Sequence, residues 1–537
     1  MIEKRMNGSL LRRLLIGTTL TVAAQVSAQT ITTDATGVTI NTGAALTRVE
    51  IWGNRIARVL HTPTTTLPSI SSLAVNGSPS PVSWQFQNNG NHVLLTTPNF
   101  TARVETSSGQ VSFLDPASAQ VLSESTGGTT LTPTTVGSPA TASYAVIQKF
   151  DLPAGEAVYG LGQHQGGNMN WVGQSVTLLQ ENKYVAVPVS LSNKGYALLW
   201  DNPAVTTVDA GKTTAGKLSW SSEAGDAVNY YFCFGPEPDQ AIAGYRTLTG
   251  AAPMLGKWAW GFWQCKERYT SQSELLGVVS QYRTLGIPID GIIQDWQYWP
   301  ALNHSTATGG WGSHEFDPTR YPDPAGMMST LHGQNVHALI SVWAKFDVTN
   351  SGVSIPNLQQ LEAVGAAFNP AIPYVYPAGQ GKWFDPFNAA GRQVYWNQLS
   401  QKIFSKGLDG WWLDASEAEF SGNWGEFRNF NTALGSGAKV FNAYPLMETT
   451  AVYQGQRAET SAKRALILTR SAYAGQQRNA AITWSGDINS DWATFDRCGK
   501  LSSGQGPEFA QAGHGFAPGD PLIESHAHPP DESLGSL

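Results

Sequence analysis

The pattern of hydrophobic and polar residues changes once along the chain, near Pro253. Before that point, from about residue 29 to 250, short segments alternate apolar and polar residues and are separated by turn-forming residues. The clearest such segments are Val38–Asn41, Leu46–Trp52, His92–Thr97 and Tyr196–Trp200. Period-two alternation repeated at this spacing predicts an antiparallel β-sandwich. No helical periodicity of useful length is visible in this half.

After Pro253, near-continuous apolar runs alternate with helical periodicity. The runs that predict strands are 258–264, 291–296, 337–343, 410–414, 464–470 and 480–487. The segments that predict helices are 271–285, 324–334, about 357–368 and 389–405. Buried strands that alternate with helices predict a parallel sheet covered by helices. We predict a (β/α)8-type barrel that is incomplete at its C-terminus, with a doubly wound open sheet as the alternative.

The residues from about 496 onward break this pattern. They show no periodicity and are rich in Gly and Pro, a composition typical of a disordered segment. Because a barrel would stop here at six of its eight strands, we predict a truncation or a change of reading frame near Phe495. The predicted divisions are a signal peptide (1–28), a β-sandwich (29–250), a partial catalytic barrel (251–495) and a tail unrelated to the barrel (496–537).

The N-terminal segment has the features of a secretory signal peptide. A basic stretch (residues 4–13) precedes a short apolar stretch (14–24), and Val26-Ser27-Ala28 offers small residues for cleavage. The apolar stretch is too short to span a bilayer. The sequence therefore predicts export to the periplasm or the extracellular space.

Composition narrows the class of ligand. Charged residues make up 14% of the chain and the formal net charge is -7, so no basic surface for nucleic acid or for an anionic membrane is expected. The sequence contains no HExxH, CxxC or Gly-rich phosphate loop, and we predict neither a metal nor another cofactor. Abundant Trp and Gly with few charges fits an uncharged, polar partner such as an oligosaccharide.

Polar or aromatic residues stand at or just past the ends of five predicted strands. These residues are Asp295, Trp343, Asp414, Arg470 and Asp487. In a parallel barrel, the C-terminal ends of the strands form the active site. A single Asp after a strand is often only a helix cap, but five such residues at one edge predict a site.

Asp414 and Asp487 are the residues best suited to catalysis. Two carboxyl groups can hydrolyse a glycosidic bond without a cofactor, because one donates a proton and the other attacks the sugar or activates water. Trp412 and Trp484 lie close to them in sequence, and aromatic rings match the apolar faces of sugars while they exclude water. The alternative is that the Trp residues are core and the Asp residues cap helices. Glu417, one turn onward, either orients Asp414 or the sugar, or lies on the solvated surface.

Several motifs together resemble glycoside hydrolase family 31. Gly410-Trp-Trp-Leu-Asp414-Ala-Ser-Glu417 is similar to the family's nucleophile signature. Thr469-Arg470-Ser-Ala-Tyr-Ala-Gly475, followed by Trp484-Ser-Gly-Asp487, resembles its acid/base region. Further similar segments are 159–162, 192–196, 293–299, 311–312, 316–324 and 340–343. The resemblance covers roughly residues 155–495, in order.

This resemblance implies a retaining, exo-acting α-glycosidase that hydrolyses α-linked xylosides or glucosides of oligosaccharides by double displacement. Asp414 would be the nucleophile and Asp487 the acid/base. Asp295 would bind sugar hydroxyls, and Arg470 would contact the substrate unless it forms only a structural salt bridge.

The resemblance also suggests an aromatic wall and leaves alternatives open. Trp343 and Trp412 would wall the pocket, whereas Trp296, Trp484 and Arg478 belong either to the pocket or to the packing around it. The motifs look closest to the α-xylosidase branch, with α-glucosidase next. An α-transglycosylase of the same family, an inactive truncated chain and a sugar-binding relic are the alternatives.

Overall fold

The structure is a computed structural model that describes residues 29–300, 310–349, 352–375, 378–419 and 425–488. The predicted signal peptide and the predicted tail lie outside the described residues. Of the helices in the described ranges, none is both long and apolar enough to cross a bilayer.

The described N-terminal half consists almost entirely of antiparallel strands. In chain order they are β1 (Thr30–Thr33), β2 (Gly37–Asn41), β3 (Leu46–Gly53), β4 (Ile56–Thr62), β5 (Gln85–Asn88), β6 (His92–Thr96), β7 (Thr101–Glu105), β8 (Val111–Leu114), β9 (Gln120–Ser123), β10 (Thr130–Val136), β11 (Thr141–Asp151), β12 (Val158–Gln163), β13 (Ser175–Leu178), β14 (Val185–Ser192), β15 (Tyr196–Trp200), β16 (Thr206–Ala210), β17 (Lys217–Gly225) and β18 (Val228–Phe234). All four segments singled out by their alternation lie in strands, namely β2, β3, β6 and β15.

These strands form three sheets around a shared apolar core. An eight-stranded sheet has the order β1-β2-β3-β4-β18-β15-β14-β12, and two five-stranded sheets have the orders β10-β11-β17-β16-β13 and β5-β6-β7-β8-β9. Strands β6 and β7 bury every second residue, which is the pattern of a sheet with one face on the core. Phe113 and Phe232 stack at 3.9 Å between ring centroids in that core. The predicted antiparallel β architecture is confirmed.

One helix in this half contradicts the expectation that it contains none. Helix α1 (Pro238–Thr249) directly follows β18 and packs on it through Ala241, Ile242 and Tyr245. Pro238 stands in the first turn, where the absence of an N–H costs nothing. Its short apolar stripe was hidden among Gly, Thr and Gln, and burial on the sheet stabilises it more than helix propensity does.

The second half alternates parallel strands with helices. Its elements, in chain order, are β19 (Trp263–Gln264), α2 (Gln272–Thr284), β20 (Gly291–Gln294), α3 (Pro324–Gly333), β21 (His337–Trp343), β22 (Lys345–Val348), α4 (Pro356–Ala363), β23 (Ile372–Val375), β24 (Ala378–Trp383), α5 (Ala389–Lys402), β25 (Gly410–Asp414), β26 (Asn431–Thr432), β27 (Gly435–Ser436), α6 (Tyr444–Glu459), β28 (Ile467–Thr469) and β29 (Ala481–Thr483). Short 3₁₀ turns lie at Lys257–Trp260, Phe404–Lys406, Glu426–Asn429, Gly437–Lys439, Phe441–Ala443 and Gln476–Asn479.

The order of the parallel sheet favours a barrel over a doubly wound sheet. Its six described strands lie in the order β19-β20-β21-β25-β28-β29, which is also their order along the chain. Each neighbouring pair is parallel. A doubly wound sheet reverses its strand order at a switch point, whereas a barrel adds strands in sequence. The predicted barrel-type sheet is therefore confirmed for the part of the chain described.

Several predicted elements differ from those observed. The apolar run 258–264 is not one strand, because Lys257–Trp260 forms a 3₁₀ turn and only Trp263–Gln264 pairs with β20. The predicted helix at 357–368 ends at Ala363, and the last two parallel strands are only three residues long. The antiparallel sheet β22-β24-β23 and helix α6 lie in segments to which the sequence assigned no element.

Candidate active site

The five residues predicted at strand ends meet at one edge of the parallel sheet. Trp343 and Asp414 are the last residues of β21 and β25, and they are direct partners in the register of these two strands. Asp295 directly follows β20, and Arg470 directly follows β28. Because all of these strands run in the same direction, their C-terminal ends place these side chains side by side.

The chain turns sharply immediately after Asp414. Ala415 adopts a φ of 52° and Ala418 a φ of 56°, in the left-handed region that residues other than glycine rarely occupy. The backbone N–H of Ala415 donates to Asp414 Oδ1 at 2.7 Å, and Ser416 Oγ lies 3.1 Å from Ser471 Oγ. The turn is thus held on both sides, and it fixes the direction of the Asp414 carboxylate.

Arg470 is the centre of the site, with only 3% of its side chain exposed. Its guanidinium contacts are Nε to Glu417 Oε1 at 2.8 Å, Nη2 to Glu417 Oε2 at 3.0 Å, Nη2 to Glu419, Nη1 to Asp487 Oδ2 at 3.1 Å and Nη1 to Asp414 Oδ1 at 3.5 Å. Burial alone would disfavour the cation, but these carboxylates raise the pKa of Arg470 well above its usual value. Arg470 therefore carries a permanent positive charge among four acidic side chains.

The shared contact with Arg470 limits the separation of Asp414 and Asp487. Asp414 Oδ1 and Asp487 Oδ2 lie 3.5 Å and 3.1 Å from Arg470 Nη1, so these two oxygens cannot be further apart than the two distances combined. Carboxyl groups about 5–5.5 Å apart are typical of retaining glycosidases, and those about 6.5–9.5 Å apart of inverting ones. This bound on the two oxygens includes the separation typical of retaining enzymes and only just reaches that of inverting ones.

Glu417 is not on the solvated surface, which was one of the two predicted alternatives. Its side chain is fully buried and forms two parallel hydrogen bonds with Arg470. Burial raises the pKa of Glu417, and the Arg470 charge opposes this effect. A carboxylate that binds Arg470 in this bidentate way orients the guanidinium toward the other acidic groups.

Asp487 is held by a residue from the N-terminal half that sequence reasoning missed. Asn182 Nδ2 donates to Asp487 Oδ2 at 2.5 Å, and Asn182 Oδ1 accepts from the backbone N–H of Asp487 at 2.9 Å. Gly486 makes this approach possible, because a Cβ at this position would lie 2.6 Å from the backbone nitrogen of Lys183. No local pattern marks Asn182, since its partner lies 305 residues further along the chain.

The segment that carries Asn182 is itself anchored to the barrel. Gln180 Nε2 donates to the carbonyl oxygens of Asn442 and Ala472, at 3.0 Å and 2.7 Å. The backbone N–H of Gln180 donates to Asn442 Oδ1 at 3.1 Å. Three buried hydrogen bonds thus hold this loop of the N-terminal half against the second half.

A row of tryptophans borders the site on the side of β20 and β21. Trp296 stacks on Trp311 with ring centroids 5.4 Å apart and planes within 4°, and Trp311 lies 4.4 Å from Trp343. Asp295 is buried beneath this row, and its Oδ1 accepts from the backbone N–H of Trp296 at 2.7 Å. Trp343 is partly exposed, as a wall residue should be.

Trp412 and Trp484 lie together in a buried cluster of the parallel sheet. They meet edge to face at 5.3 Å and are both buried in the cluster that fills the interior of the parallel sheet, with Ile293, Leu339, Leu468 and Ile482. They therefore form a floor beneath the strand ends. Trp412 points to the same side of the sheet as Asp414, two residues before it on β25, so its prediction as a pocket residue stays a prediction.

Arg478 belongs to the packing between the two halves. Its Nη1 donates to the carbonyl oxygens of Ala74 and Thr249 at 2.6 Å and 3.2 Å, and its Nη2 donates to that of Leu73 at 2.9 Å. These contacts link the turn after β28 with the N-terminal half. They involve none of the carboxylates at the strand ends.

Two further charged residues of the site escaped the sequence analysis. Glu419 contacts Arg470, and Lys345, the first residue of β22, is buried against Trp311 and Trp343. Lys345 stands only two residues after Trp343, so the motif around Trp343 could have drawn attention to it. Its burial depends on the antiparallel pairing of β22 with β24, which the sequence pattern did not predict.

A group able to bind a metal lies at the opposite end of the sheet. Ligand atoms of His332, His337 and Asp409 lie within 4.8 Å of one another near the starts of β21 and β25. His332 Nε2 is 2.8 Å from Asp409 Oδ2, and Lys463 Nζ donates to Asp409 Oδ1 at 2.9 Å. Sequence reasoning found no ligand cluster because these residues form no motif. Their internal hydrogen bonds account for the arrangement.

Comparison with known proteins gives matches in both halves of the chain. Residues 252–501 match the glycosyl hydrolases family 31 TIM-barrel domain, and residues 46–209 match the glycosyl hydrolase 31 N-terminal galactose mutarotase-like domain. The α-xylosidase of Saccharolobus solfataricus is 40% identical over 365 residues, which are 66% of this chain and 46% of that protein. The chain thus spans about half the length of this relative.

Two solved structures resemble the fold closely. The family 31 α-xylosidase from Xanthomonas citri superposes with a TM-score of 0.81 at 30% identity, covering 90% of this chain and 68% of that one. A family 31 α-xylosidase from a soil metagenome, solved with xylose, gives a TM-score of 0.79 at 25% identity, covering 89% and 70%. With both domains matched, in order and with the same architecture, the chain belongs to glycoside hydrolase family 31.

Proposed function

We propose that this chain is the catalytic part of a retaining, exo-acting α-glycosidase that hydrolyses α-linked xylosides, with α-glucosides as the second candidate substrates. The observation that carries the proposal is the pair Asp414 and Asp487, which share Arg470 Nη1 at 3.5 Å and 3.1 Å. Asp414 ends β25, and Asp487 lies in the segment that follows β29. The match to named α-xylosidases supports xylosides over glucosides.

In the first step, Asp414 attacks the anomeric carbon and Asp487 donates a proton to the departing oxygen. Arg470 contacts both carboxylates, so it keeps Asp414 ionised for attack and stabilises the carboxylate that Asp487 becomes. In the second step, Asp487 accepts a proton from a water molecule whose oxygen attacks the anomeric carbon, and the bond from that carbon to Asp414 breaks. The sugar is released with its original configuration.

Asp487 is well placed for these proton transfers. Its side chain is 36% exposed, whereas that of Asp414 is 14% exposed. A group that exchanges protons with water and with a leaving group requires access to solvent, while a nucleophile is more reactive when shielded. Trp343, the partly exposed member of the tryptophan row, would stack on the apolar face of the sugar, and Asp295 would accept hydrogen bonds from its hydroxyls.

The test uses the full chain with p-nitrophenyl α-xyloside and α-glucoside. We expect release of p-nitrophenol, with higher kcat/KM for the xyloside, and its loss in Asp414→Ala and Asp487→Ala. Asp226→Asn is the matched control, because Asp226 is 54% exposed in a surface ion pair with Lys439, away from the strand ends.

Azide rescue separates the two roles. With Asp487→Ala, azide should restore turnover and give the α-glycosyl azide, because it attacks the covalent intermediate. With Asp414→Ala it should give the β-glycosyl azide by direct displacement. The same anomer from both variants would contradict the assignment. Transfer of the sugar to an added saccharide rather than to water would indicate a transglycosylase, and a folded chain that binds xylose without turnover would refute the enzymatic proposal.

A further inference from the structure

Lys345 is a buried lysine enclosed by tryptophans next to the candidate site. It is 3% exposed, and its Nζ lies 3.9 Å from the ring centroid of Trp311 and 4.6 Å from that of Trp343. A third ring, Trp383 of β24, lies 5.6 Å away. The ammonium group therefore occupies a box of three indole rings, two of which belong to the row that borders the site.

The charges around this box connect Lys345 to the catalytic carboxylates. Asp347, on the same face of β22, attracts the ammonium, as do Glu419 and Asp414, while Arg470 repels it. Burial lowers the pKa of Lys345 to about 7, and the three carboxylates oppose that shift. A cation is costly to bury, so a lysine kept in such a position usually serves a site.

We propose that Lys345 is a positioning residue of the glycosidase reaction, which fixes Trp311 and Trp343 as one wall and supplies a second positive charge for Asp414. The inference rests on the proposed function and adds to it a residue that the site's motifs do not include.

The first part of this role follows from the geometry of the rings. A cation is attracted to the faces of two indoles at once, and this attraction holds their planes at a fixed angle, here 45°. Trp311 also stacks on Trp296, so the constraint extends along the row from β20 to β21. A rigid aromatic wall binds a sugar ring without losing side-chain freedom on binding.

The second part follows from charge. Four carboxylates contact Arg470, so one guanidinium must balance Asp414, Glu417, Glu419 and Asp487. A further cation within electrostatic range favours the ionised form of Asp414, which is the form that attacks.

Replacement of Lys345 by Met distinguishes a role of its charge from simple packing. Met has nearly the length and volume of the lysine stem and fills irregular apolar spaces, so Lys345→Met preserves the packing and removes the charge. If Lys345 only filled space, the variant would behave as the wild type does.

The experiment compares pH profiles of kcat/KM for the full chain, Lys345→Met and Lys382→Met. Lys382 is the matched control, since it lies beside Trp383 on β24 and pairs with Glu362 at 2.7 Å on the other face of the same small sheet. We expect Lys345→Met to lower kcat/KM about tenfold and to move the acidic limb about half a unit to higher pH, because the lost cation no longer favours the carboxylate. Lys382→Met should change neither.

Unchanged kcat/KM and an unchanged acidic limb in a folded Lys345→Met protein would overturn the proposal. If that variant does not fold, Lys345→Gln takes its place with the same expectation.

A second readout does not depend on turnover. Since Lys345 Nζ faces three indoles, its loss of a proton should change the tryptophan fluorescence of the wild type near pH 7, and the variant should lack this change. The measurement is the difference between the fluorescence–pH curves of the wild type and of Lys345→Met. Subtraction removes the contribution of His337, a second ionisable group that stacks on a tryptophan, Trp258, at 4.1 Å. A fluorescence difference without any hydrolysis would refute the glycosidase proposal alone, whereas hydrolysis with unchanged kcat/KM and an unchanged acidic limb in Lys345→Met would refute the role of Lys345 alone.

Discussion

Replacement of Asn182 by Ala tests whether the N-terminal half takes part in catalysis. Asn182 Nδ2 donates to Asp487 Oδ2, and its Oδ1 accepts from the Asp487 backbone. The variant removes both hydrogen bonds and leaves the carboxyl group of Asp487 in place. Any change in activity would therefore report on how that carboxyl is held and ionised.

The size of the effect follows from the contact to the carboxylate. A hydrogen bond to a charged group contributes about 1.5–3 kcal/mol, and the 36% exposure of the Asp487 side chain places this one near the lower end. A loss of about 1.4 kcal/mol is about tenfold in kcat/KM. Since the N–H favours the ionised form, its removal lets Asp487 keep its proton to higher pH. The basic limb should therefore move up by about one pH unit.

The assay measures kcat/KM across pH with p-nitrophenyl α-xyloside and with an unactivated α-xylosyl disaccharide. The disaccharide should lose more, because its leaving group requires the proton that Asp487 donates. Asn431→Ala is the control, since Asn431 Nδ2 also donates a hydrogen bond between the two halves, at 2.7 Å, but to Ser138 O rather than to Asp487. Equal losses for both substrates with an unmoved basic limb would refute the reasoning.

Two further predictions concern stability. Arg470→Met leaves Glu417 buried without Arg470 and should lower the free energy of unfolding by about 3–5 kcal/mol in urea titrations. The control Arg428→Met breaks a surface ion pair with Glu223 and should lower it by about 1 kcal/mol or less. Equal effects of the two variants would contradict a stabilising role of the buried pair. Burial lowers the pKa of His314 to about 3, while an unfolded histidine titrates near about 6.5, so the unfolded state takes up the extra proton as pH falls below that value. Stability should then decrease from pH 7 to pH 5, and His314→Gln should reduce that decrease by about 2 kcal/mol in melts at the two pH values; an unaltered slope would rule out this histidine as a cause.

The sequence predicted the parts of the site that depend on local pattern. Apolar runs that end in a polar or aromatic residue indicated that Trp343, Asp414 and Arg470 share one edge of the sheet, because parallel pairing in chain order brings the ends of their strands together. Helix α1 was missed because its stabilisation comes from the sheet on which it packs, and the periodicity of its own twelve residues does not reveal that sheet.

Long-range partners could not be read in the same way. Asn182 and Lys345 look like ordinary polar residues in sequence, and only the packing of distant segments gives them their neighbours. The burial of Glu417 likewise depends on Arg470, 53 residues later. For Trp412, the sequence did not indicate that its ring would pack on Trp484 in a buried cluster, because the two residues are 72 positions apart.

The loop of residues 180–182 couples the packing of the N-terminal half on the barrel to the position of Asp487. Gln180 binds the loop to the barrel, and Asn182, two residues after Gln180, binds Asp487, the acid/base candidate. A change that loosens the interface at this loop would therefore reach Asp487, the proposed proton donor, through Asn182. A chimera that exchanged the β-domain for that of a relative would therefore need to carry this tripeptide with the barrel rather than with the sandwich.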